Sequence, residues 1–171
     1  MTVCLRRTTE ADLDFVLKAE QDVENSPFVI KWTREQHQAI LFSADAAHFV
    51  VEKVDNGVKV GYLIMRGLID DNSSIELRRL VITEKNKGYG RTVMALAKYL
   101  AFGEWGAHRL WLDVKEHNYR ARHLYESEGF VVEGVLRETI KKESGFESLV
   151  LMSILRHEYE KHDRLRTDHA Y

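Results

Sequence analysis

An apolar stretch that runs into a short basic loop with two glycines constrains the fold of this chain more than any other feature. The run from Ile75 to Ile82 is mostly aliphatic and β-branched, too short for a buried helix, and closed by polar turn residues. After the loop, Met94, Ala97 and Ala101 recur at helical spacing, and Gly103 marks the end. The pattern predicts a strand that leads into the N-terminus of a helix, where free backbone N–H groups and the helix dipole favour an anion.

The glycine loop does not match the common nucleotide-binding motifs. A P-loop needs GxxxxGK followed by Ser or Thr, and a dinucleotide fingerprint needs GxGxxG, whereas residues 87–92 read KGYGRT. A GxG sequence before a helix is also common in plain turns. Taken alone, the loop leaves an anion site and an ordinary turn both open.

A second strand, loop and helix are predicted from Leu110 to Phe130. Asp113 projects from the strand face opposite the aliphatic residues, because side chains alternate along a strand. Asn118 is a favourable N-cap for the helix, and Gly129 stands where a left-handed residue ends it. Tyr125 falls on the inward stripe of this helix, either as a core aromatic residue with a satisfied hydroxyl or as a functional group.

Together, the two segments resemble the GNAT superfamily of acyl-CoA-dependent N-acetyltransferases. The pyrophosphate-binding signature of that family, Gln/Arg-x-x-Gly-x-Gly/Ala, is similar to the run from Lys85 to Gly90, where lysine takes the first position. A second signature, Asn-x-x-Ala-x-x-Leu-Tyr-x-x-x-Gly-Phe, is matched in full from Asn118 to Phe130. The resemblance implies an α/β (α+β) fold in one domain over residues 1–155, with a mixed, mostly antiparallel, splayed sheet flanked by helices. A polar tail follows over residues 156–171.

The resemblance also implies acetyl-CoA as the acyl-donor cosubstrate and assigns residues to its binding. The loop and the first helical turn would hold the pyrophosphate through Lys87, Gly88, Tyr89, Gly90 and Arg91. The backbone of the preceding strand would pair with the pantetheine arm at Leu80, Val81 and Ile82. The Asn118 side chain would also contact the cofactor.

Three side chains are candidates for the proton transfers of amide formation. Tyr125 matches the family tyrosine that is usually assigned as general acid, and a phenol stays protonated at neutral pH. Asp113 matches a strand position where some N-terminal acetyltransferases of the family carry a catalytic glutamate. Glu76 is the alternative base, since related polyamine and protein acetyltransferases often have a glutamate nearby. Each carboxylate could instead be an exposed strand residue or a salt-bridge partner.

The alternation of the first strand shifts near Arg78 and Arg79. Ile75 and Leu77 fall on one face, whereas Leu80 and its neighbour two residues on fall on the other, as if one extra residue entered the strand. A β-bulge would produce this shift, and in GNAT proteins a bulge here splays the strand from its parallel neighbour so that the acyl-CoA arm can enter. The alternative is a strand buried on both faces, in which the alternation of apolar side chains does not indicate a bulge.

An apolar connector, NSPFVIKW over residues 25–32, precedes the second predicted helix. Phe28, Ile30 and Trp32 either pack into the core or line a pocket, and the usual burial of such residues favours the core. In the GNAT family this region commonly borders the acceptor site.

The remaining segments supply elements compatible with one such domain. Two helices are predicted before the first hairpin, one capped by Thr9 and one by the capping box of Thr33 and Gln36. Further strands are predicted at Val3–Arg7, His48–Val54, Lys59–Leu68, Val131–Ile140 and Phe146–Leu155.

Composition excludes several other classes of protein. The 171 residues are 44% hydrophobic, enough for one sizeable core, and a net charge of −2 gives no electrostatic argument for nucleic acid. No run reaches membrane-spanning length. The single cysteine, Cys4, cannot form an internal disulfide, which favours a cytoplasmic setting. His157, His162 and His169 lack the spacing of a metal motif, so no metal is expected.

The resemblance therefore implies an acetyl-CoA-dependent N-acetyltransferase. An amine of a small molecule or of a protein N-terminus would attack the thioester directly. The alternative is a non-catalytic acyl-CoA-binding regulatory domain. A homodimer is one option for the oligomeric state.

Overall fold

The computed structural model describes residues 2–161, which form one seven-stranded sheet in the order β1-β2-β3-β4-β5-β7-β6. The strands are β1 (Val3–Arg7), β2 (Ala46–Lys53), β3 (Lys59–Arg66), β4 (Ser74–Ile82), β5 (Arg109–Lys115), β6 (Val131–Lys142) and β7 (Gly145–Leu155). Only β4 and β5 are parallel; the other neighbours are antiparallel. The predicted mixed, mostly antiparallel sheet is confirmed.

Four helices flank the sheet: α1 (Leu13–Gln21), α2 (Arg34–Leu41), α3 (Tyr89–Lys98) and α4 (Tyr119–Ser127). A 3-10 turn at Glu10–Asp12 precedes α1, and a π-helical segment at Tyr99–Glu104 continues α3. Residues 156–161, at the start of the predicted polar tail, form a further helical turn. The rest of that tail, with His162 and His169, lies outside the described residues. Within residues 2–161, no helix is both long and apolar enough to span a membrane.

The predicted helix signals act where the sequence places them. The Thr33 hydroxyl accepts a hydrogen bond from the backbone N–H of Gln36 at the start of α2, and the Gln36 side-chain oxygen accepts one from the backbone N–H of Thr33. Asn118 Oδ1 accepts from the backbone N–H of Ala121 at the start of α4. Gly129 has φ +93°, the left-handed conformation expected after the helix end.

The core divides into two clusters on the two faces of the sheet. The larger cluster joins the strands to α3 and α4 and includes Leu77, Met94, Leu112 and Tyr125. The smaller cluster packs α1 against the other face of β3 and β4. Strands in the middle of the sheet are therefore buried on both faces.

A β-bulge in β4 is confirmed at the predicted place. Ile64 of β3 pairs with Arg79, but the next residue, Met65, pairs with Leu77, so Arg78 has no partner in β3. The extra residue restores the phase of the strand, because Leu77 and Leu80 both pack on the larger core cluster. The bulge thereby points Arg79 toward the α1 side, where its side chain is buried.

The parallel pairing of β4 and β5 is short. It covers three residue pairs and ends at Glu76 opposite Trp111. Beyond that pair the two strands separate, while β5 stays paired with β7 on its other edge along its whole length. The edge of β4 that faces β5 is consequently without a strand partner from Leu77 onward, which opens a gap in the middle of the sheet.

Gly61 is the tightest position in the sheet that a substitution can test. A Cβ added there would lie 2.2 Å from the carbonyl oxygen of Val81 across the β3–β4 pair. We expect Gly61→Ala to lower the free energy of unfolding by about 1–3 kcal/mol, because the backbone cannot yield as a side chain would. Gly134→Ala is the control, since an added Cβ meets nothing within 4 Å. Equal denaturant midpoints for both variants would contradict the expectation.

Candidate active site

A cavity of about 760 Å³ opens where β4 and β5 separate. Its walls come from the glycine loop and α3, from β4, β5 and α4, and from the connector before α2. Such a volume is in the usual range for small-molecule sites. The cavity brings together nearly all of the residues that the sequence singles out.

The loop end of the cavity is suited to an anion. Gly88 has φ +77° and is the N-cap of α3, so the amides of the first helical turn have no acceptor within the helix. Lys87 and Arg91 stand at the same end of the cavity. Arg120 of α4 donates to Asn86 Oδ1 at 2.8 Å and fastens the loop to the neighbouring helix. Free N–H groups, a helix dipole and basic side chains thus converge.

Lys85, the first position of the loop signature, turns back toward the protein. Its ammonium donates to the carbonyl oxygen of Ile82 at 2.5 Å and to Asn25 Oδ1. Burial, and then the charge of Arg120, lowers its pKa. Lys85 therefore joins the glycine loop to the connector before α2 by a direct contact that the sequence does not predict.

Tyr125 of α4 lies in the wall of the cavity with 8% of its surface exposed. Burial, and to a lesser extent the charge of Asp113, raises its pKa to about 12. Its ring packs beside Phe130, with 6.0 Å between the centroids. The hydroxyl makes no hydrogen bond within residues 2–161, so it is not the satisfied core phenol of the alternative interpretation.

The two candidate bases are placed differently. Asp113 lines the cavity, and its pKa is raised by burial against an opposing effect of Arg78. Glu76 does not line the cavity; it sits at the last residue pair of β4 with β5. Its pKa is also raised by burial, and it accepts a weak hydrogen bond of 3.3 Å from Arg78. Glu76 thus fits the salt-bridge interpretation, whereas Asp113 makes no ion pair or hydrogen bond within the described part of the chain.

The connector before α2 corrects one expectation. Phe28 and Ile30 are 37% and 46% exposed and line the cavity, so the prediction that they pack into the core is wrong. Trp32 follows the prediction and packs against the smaller core cluster. The difference arises because this part of the connector forms the cavity wall, where apolar side chains border open space and not a packed core. Phe28 also contacts the ring of His117, with 5.5 Å between the centroids.

Asn118 lies in the cavity wall at the start of α4. Its side-chain oxygen is used in the cap, at 3.2 Å from the backbone nitrogen of Ala121. The side-chain NH₂ is the group that remains for a ligand, and it can donate but not accept.

Several basic residues of the cavity were missed by sequence reasoning. Arg78 and Arg79 line it beside the bulge, and Lys115 lines it from β5, where its ammonium donates to the carbonyl oxygen of Pro27 at 2.9 Å. Arg78 Nε is buried without a hydrogen-bond partner in the described residues. Two adjacent arginines in an apolar strand were the available signal, since buried arginines need partners.

Comparisons with known proteins agree with this geometry. Residues 13–130 match the model of the acetyltransferase (GNAT) family. An uncharacterised N-acetyltransferase of Mycobacterium bovis is 32% identical over 95 residues, 54% of this chain and 59% of that protein. A spermidine N(1)-acetyltransferase of Vibrio cholerae is 30% identical over 112 residues, 65% of this chain and 64% of that protein. The chain thus spans about three fifths of the length of these two relatives.

A longer but weaker match is the spermidine N(1)-acetyltransferase of Escherichia coli K12, 25% identical over 92% of this chain and 88% of that protein. Among solved structures, spermidine N-acetyltransferase from Vibrio cholerae in complex with CoA and spermine superposes with a TM-score of 0.83. It is 24% identical and covers 92% of this chain and 98% of that one, a likeness of fold. The family match over residues 13–130, on the fold and cavity described above, establishes that this chain belongs to the acetyltransferase (GNAT) family.

Proposed function

We propose that the chain transfers the acetyl group of acetyl-CoA to a primary amine by direct attack of the amine on the thioester. One observation supports this most strongly: the cavity at the gap between β4 and β5 is lined by the glycine loop, by the phenol of Tyr125 and by the carboxylate of Asp113. That combination of groups suits a cofactor that carries both a pyrophosphate and a reactive thioester.

The cofactor would enter along the free edge of β4. Gly88, Gly90 and the rest of the first turn of α3 would hold the pyrophosphate through backbone N–H groups. The unpaired backbone of residues 80–82 would then bond to the amides of the pantetheine arm, as a further strand would. Asn118 would donate its side-chain NH₂ to the same ligand.

The chemistry needs one proton taken and one proton given. The amine nitrogen attacks the carbonyl carbon, the C–S bond breaks, and the thiolate must be protonated. Asp113 would take the proton of the amine, and its raised pKa brings it closer to the range that suits a base near neutral pH. Tyr125 would protonate the thiolate, and with a pKa of about 12 it stays protonated at every working pH.

A non-catalytic acyl-CoA-binding domain is the alternative function. A domain that only binds the cofactor has no need of an ionisable hydroxyl beside the thioester. Tyr125 keeps its hydroxyl in the cavity wall without a hydrogen bond to the described residues, which favours the enzyme.

The acceptor is tested with a panel of amines. The relatives that are named spermidine N(1)-acetyltransferases make a polyamine the first candidate, and a protein N-terminus the second. Release of the CoA thiol would be followed with spermidine, a simple alkyl monoamine, an amino sugar and a short peptide, together with mass detection of the acetylated product. Turnover with at least one amine supports the proposal; tight acetyl-CoA binding with no turnover on any of them would support the binding domain instead.

The choice of base is decided by the pH dependence of two variants. We expect Asp113→Asn to lower the rate at neutral pH and to recover part of it at higher pH, where the acceptor amine is already deprotonated. Glu76→Gln should act more mildly, chiefly on the acceptor KM, because its carboxylate lies outside the cavity wall.

The pH–rate profile of the wild-type protein also has an expected shift. Since burial raises the pKa of Asp113, the acid limb of the wild-type profile should fall at higher pH than an exposed aspartate would give. Alkaline recovery in Glu76→Gln alone would exchange the two assignments.

A further inference from the structure

A buried carboxylate behind the cavity is the hub of a hydrogen-bond network that no part of the proposed chemistry uses. Glu20 of α1 is 1% exposed. Its Oε1 accepts from Tyr62 at 2.7 Å, from Arg79 at 2.5 Å and from His37 Nε2 at 3.0 Å. Its Oε2 accepts from the backbone N–H of Trp32 at 3.0 Å. One carboxylate thus ties together α1, α2, two strands and the connector before α2.

The network continues through two histidines to the end of β1. His37 Nδ1 lies 3.2 Å from His48 Nε2, and His48 Nδ1 lies 2.8 Å from the hydroxyl of Thr8. Burial, and then the charges of His37 and Arg79, lowers the pKa of His48 to about 3, so it is neutral. Because the Glu20 carboxylate only accepts, His37 Nε2 must carry a proton. Every member of the network therefore has a partner.

The network reaches the cavity through Arg79. While one guanidinium nitrogen bonds Glu20, the other donates to the carbonyl oxygen of Ile30 at 2.6 Å. The Trp32 ring lies over the same guanidinium, with 4.4 Å between Arg79 Cζ and the ring centroid. Arg79 thus holds the connector at two points, the Ile30 carbonyl and the Trp32 ring. Phe28 and Ile30 of the same connector line the cavity. Glu20 itself does not line the cavity.

Stability alone does not explain such an arrangement. Burial raises the pKa of Glu20, but the bonds from His37, Tyr62 and the Trp32 backbone, with the charge of Arg79, outweigh it, so the net shift is downward and the group stays ionised. Well-packed apolar residues commonly replace buried ion pairs at no loss of stability, whereas the fork geometry of arginine fixes its partners in position. The network specifies where the connector lies.

We propose that Glu20 and Arg79 are positioning residues that fix the connector, residues 25–32, as a wall of the part of the cavity that takes the acceptor amine, and so set the affinity for that amine. This rests on the proposed function: an amine held beside Asp113 of β5 would lie close to the connector, whose Pro27 carbonyl accepts from Lys115 of the same strand. The bulge at Arg78 contributes to this positioning, because it points Arg79 away from the larger core cluster and toward Glu20. His37 bonds Glu20 directly, and His48 bonds His37 in turn.

The kinetic test compares Glu20→Gln with a control on the same helix. We expect Glu20→Gln to raise the acceptor KM by roughly 10-fold or more, since small displacements of a site wall are costly. The Kd of acetyl-CoA should stay within about twofold, because none of the hydrogen bonds of Glu20 goes to the glycine loop. Asp14→Asn is the control, since Asp14 is an exposed residue of α1 that pairs with Arg34; its acceptor KM should not change. An acceptor KM within about twofold of wild type in folded Glu20→Gln would overturn the proposal.

Arg79→Lys supplies the second variant if Glu20→Gln does not fold. Lysine keeps the charge opposite Glu20 but lacks the fork that spans Glu20 and the Ile30 carbonyl. The proposal expects the same rise in acceptor KM with unchanged affinity for acetyl-CoA. A parallel loss of both affinities would mean that the network only holds the fold together, and would overturn the proposal.

A structural readout tests the positioning without any substrate. The chain has three tryptophans, so fluorotryptophan labelling gives a simple fluorine NMR spectrum in which Trp32→Phe assigns one resonance. We expect the Trp32 resonance to shift and broaden in Glu20→Gln but not in Asp14→Asn. A wild-type protein that acetylates no amine would refute the proposed function, whereas an unchanged Trp32 resonance would refute the positioning role, so the two failures are distinct.

Discussion

Replacing Tyr125 by phenylalanine is expected to lower the turnover number by about 10²–10⁴-fold and to leave the affinity for acetyl-CoA nearly unchanged. The substitution removes only a hydroxyl, and that hydroxyl has no hydrogen bond within residues 2–161 whose loss would weaken the fold. If Tyr125 protonates the leaving thiolate, removal of its hydroxyl raises the energy of the transition state and leaves the binding of acetyl-CoA unchanged. Single-turnover rates and melting temperatures measured on one preparation separate catalysis from stability.

Tyr119→Phe is the matched control for this experiment. Tyr119 belongs to the same helix but is 71% exposed, and it does not line the cavity. Its substitution should change neither turnover nor melting temperature. Normal turnover with a lowered melting temperature in Tyr125→Phe would show that the phenol serves the core, and the assignment of a general acid would have to be withdrawn.

The second large effect is expected at the anion end of the cavity. Gly90→Asp places a carboxylate in the first turn of α3, where the proposal puts a doubly charged pyrophosphate. Repulsion between close charges in a partly desolvated site is worth several kcal/mol, so the Kd of CoA should rise by about 10²-fold or more. Calorimetric titration measures this directly, and added salt should reduce the effect.

Gly90→Asn separates the charge from the size of the new side chain. Any Cβ at this position comes within 3.2 Å of Leu124 Cδ2, the flexible end of a side chain that can move. Asparagine has nearly the shape of aspartate without its charge, so the difference between the two variants reports the electrostatic part. Equal Kd values for Gly90→Asp and Gly90→Asn would show that no anionic group of CoA binds beside Gly90.

The sequence predicted those features that depend on near neighbours in the chain. The caps at Thr33 and Asn118 and the left-handed Gly129 follow from local hydrogen bonding and backbone sterics, and all three are confirmed. The bulge at Arg78 was predictable for a similar reason, because one extra residue shifts the alternation of every residue after it.

Features that depend on distant pairing were not predicted. Glu20 and Arg79 are 59 residues apart, and nothing local to either residue indicates the other. A partial signal existed, since Glu20 lies four residues after Val16 on the buried face of α1, where an ionised side chain needs a partner. Phe28 and Ile30 were expected in the core because apolar character does not reveal whether a side chain faces a packed interior or a cavity.

The choice between Asp113 and Glu76 also depends on distant pairing, so the sequence alone did not decide it. Both carboxylates sit on strands whose spacing the sequence predicts well. What separates them is the residue at which β4 and β5 stop pairing, and that depends on the bulge, on β7 and on the helices around the gap. Only the fold as a whole puts Asp113 in the cavity wall and leaves Glu76 within the last residue pair of β4 with β5.

A crystal structure of the complex with CoA tests the central claim most directly. The account predicts the pyrophosphate against the first turn of α3, the pantetheine arm along the free edge of β4, and the sulfur within hydrogen-bonding distance of the Tyr125 hydroxyl. A sulfur atom outside the gap between β4 and β5, out of reach of both Tyr125 and Asp113, would contradict it.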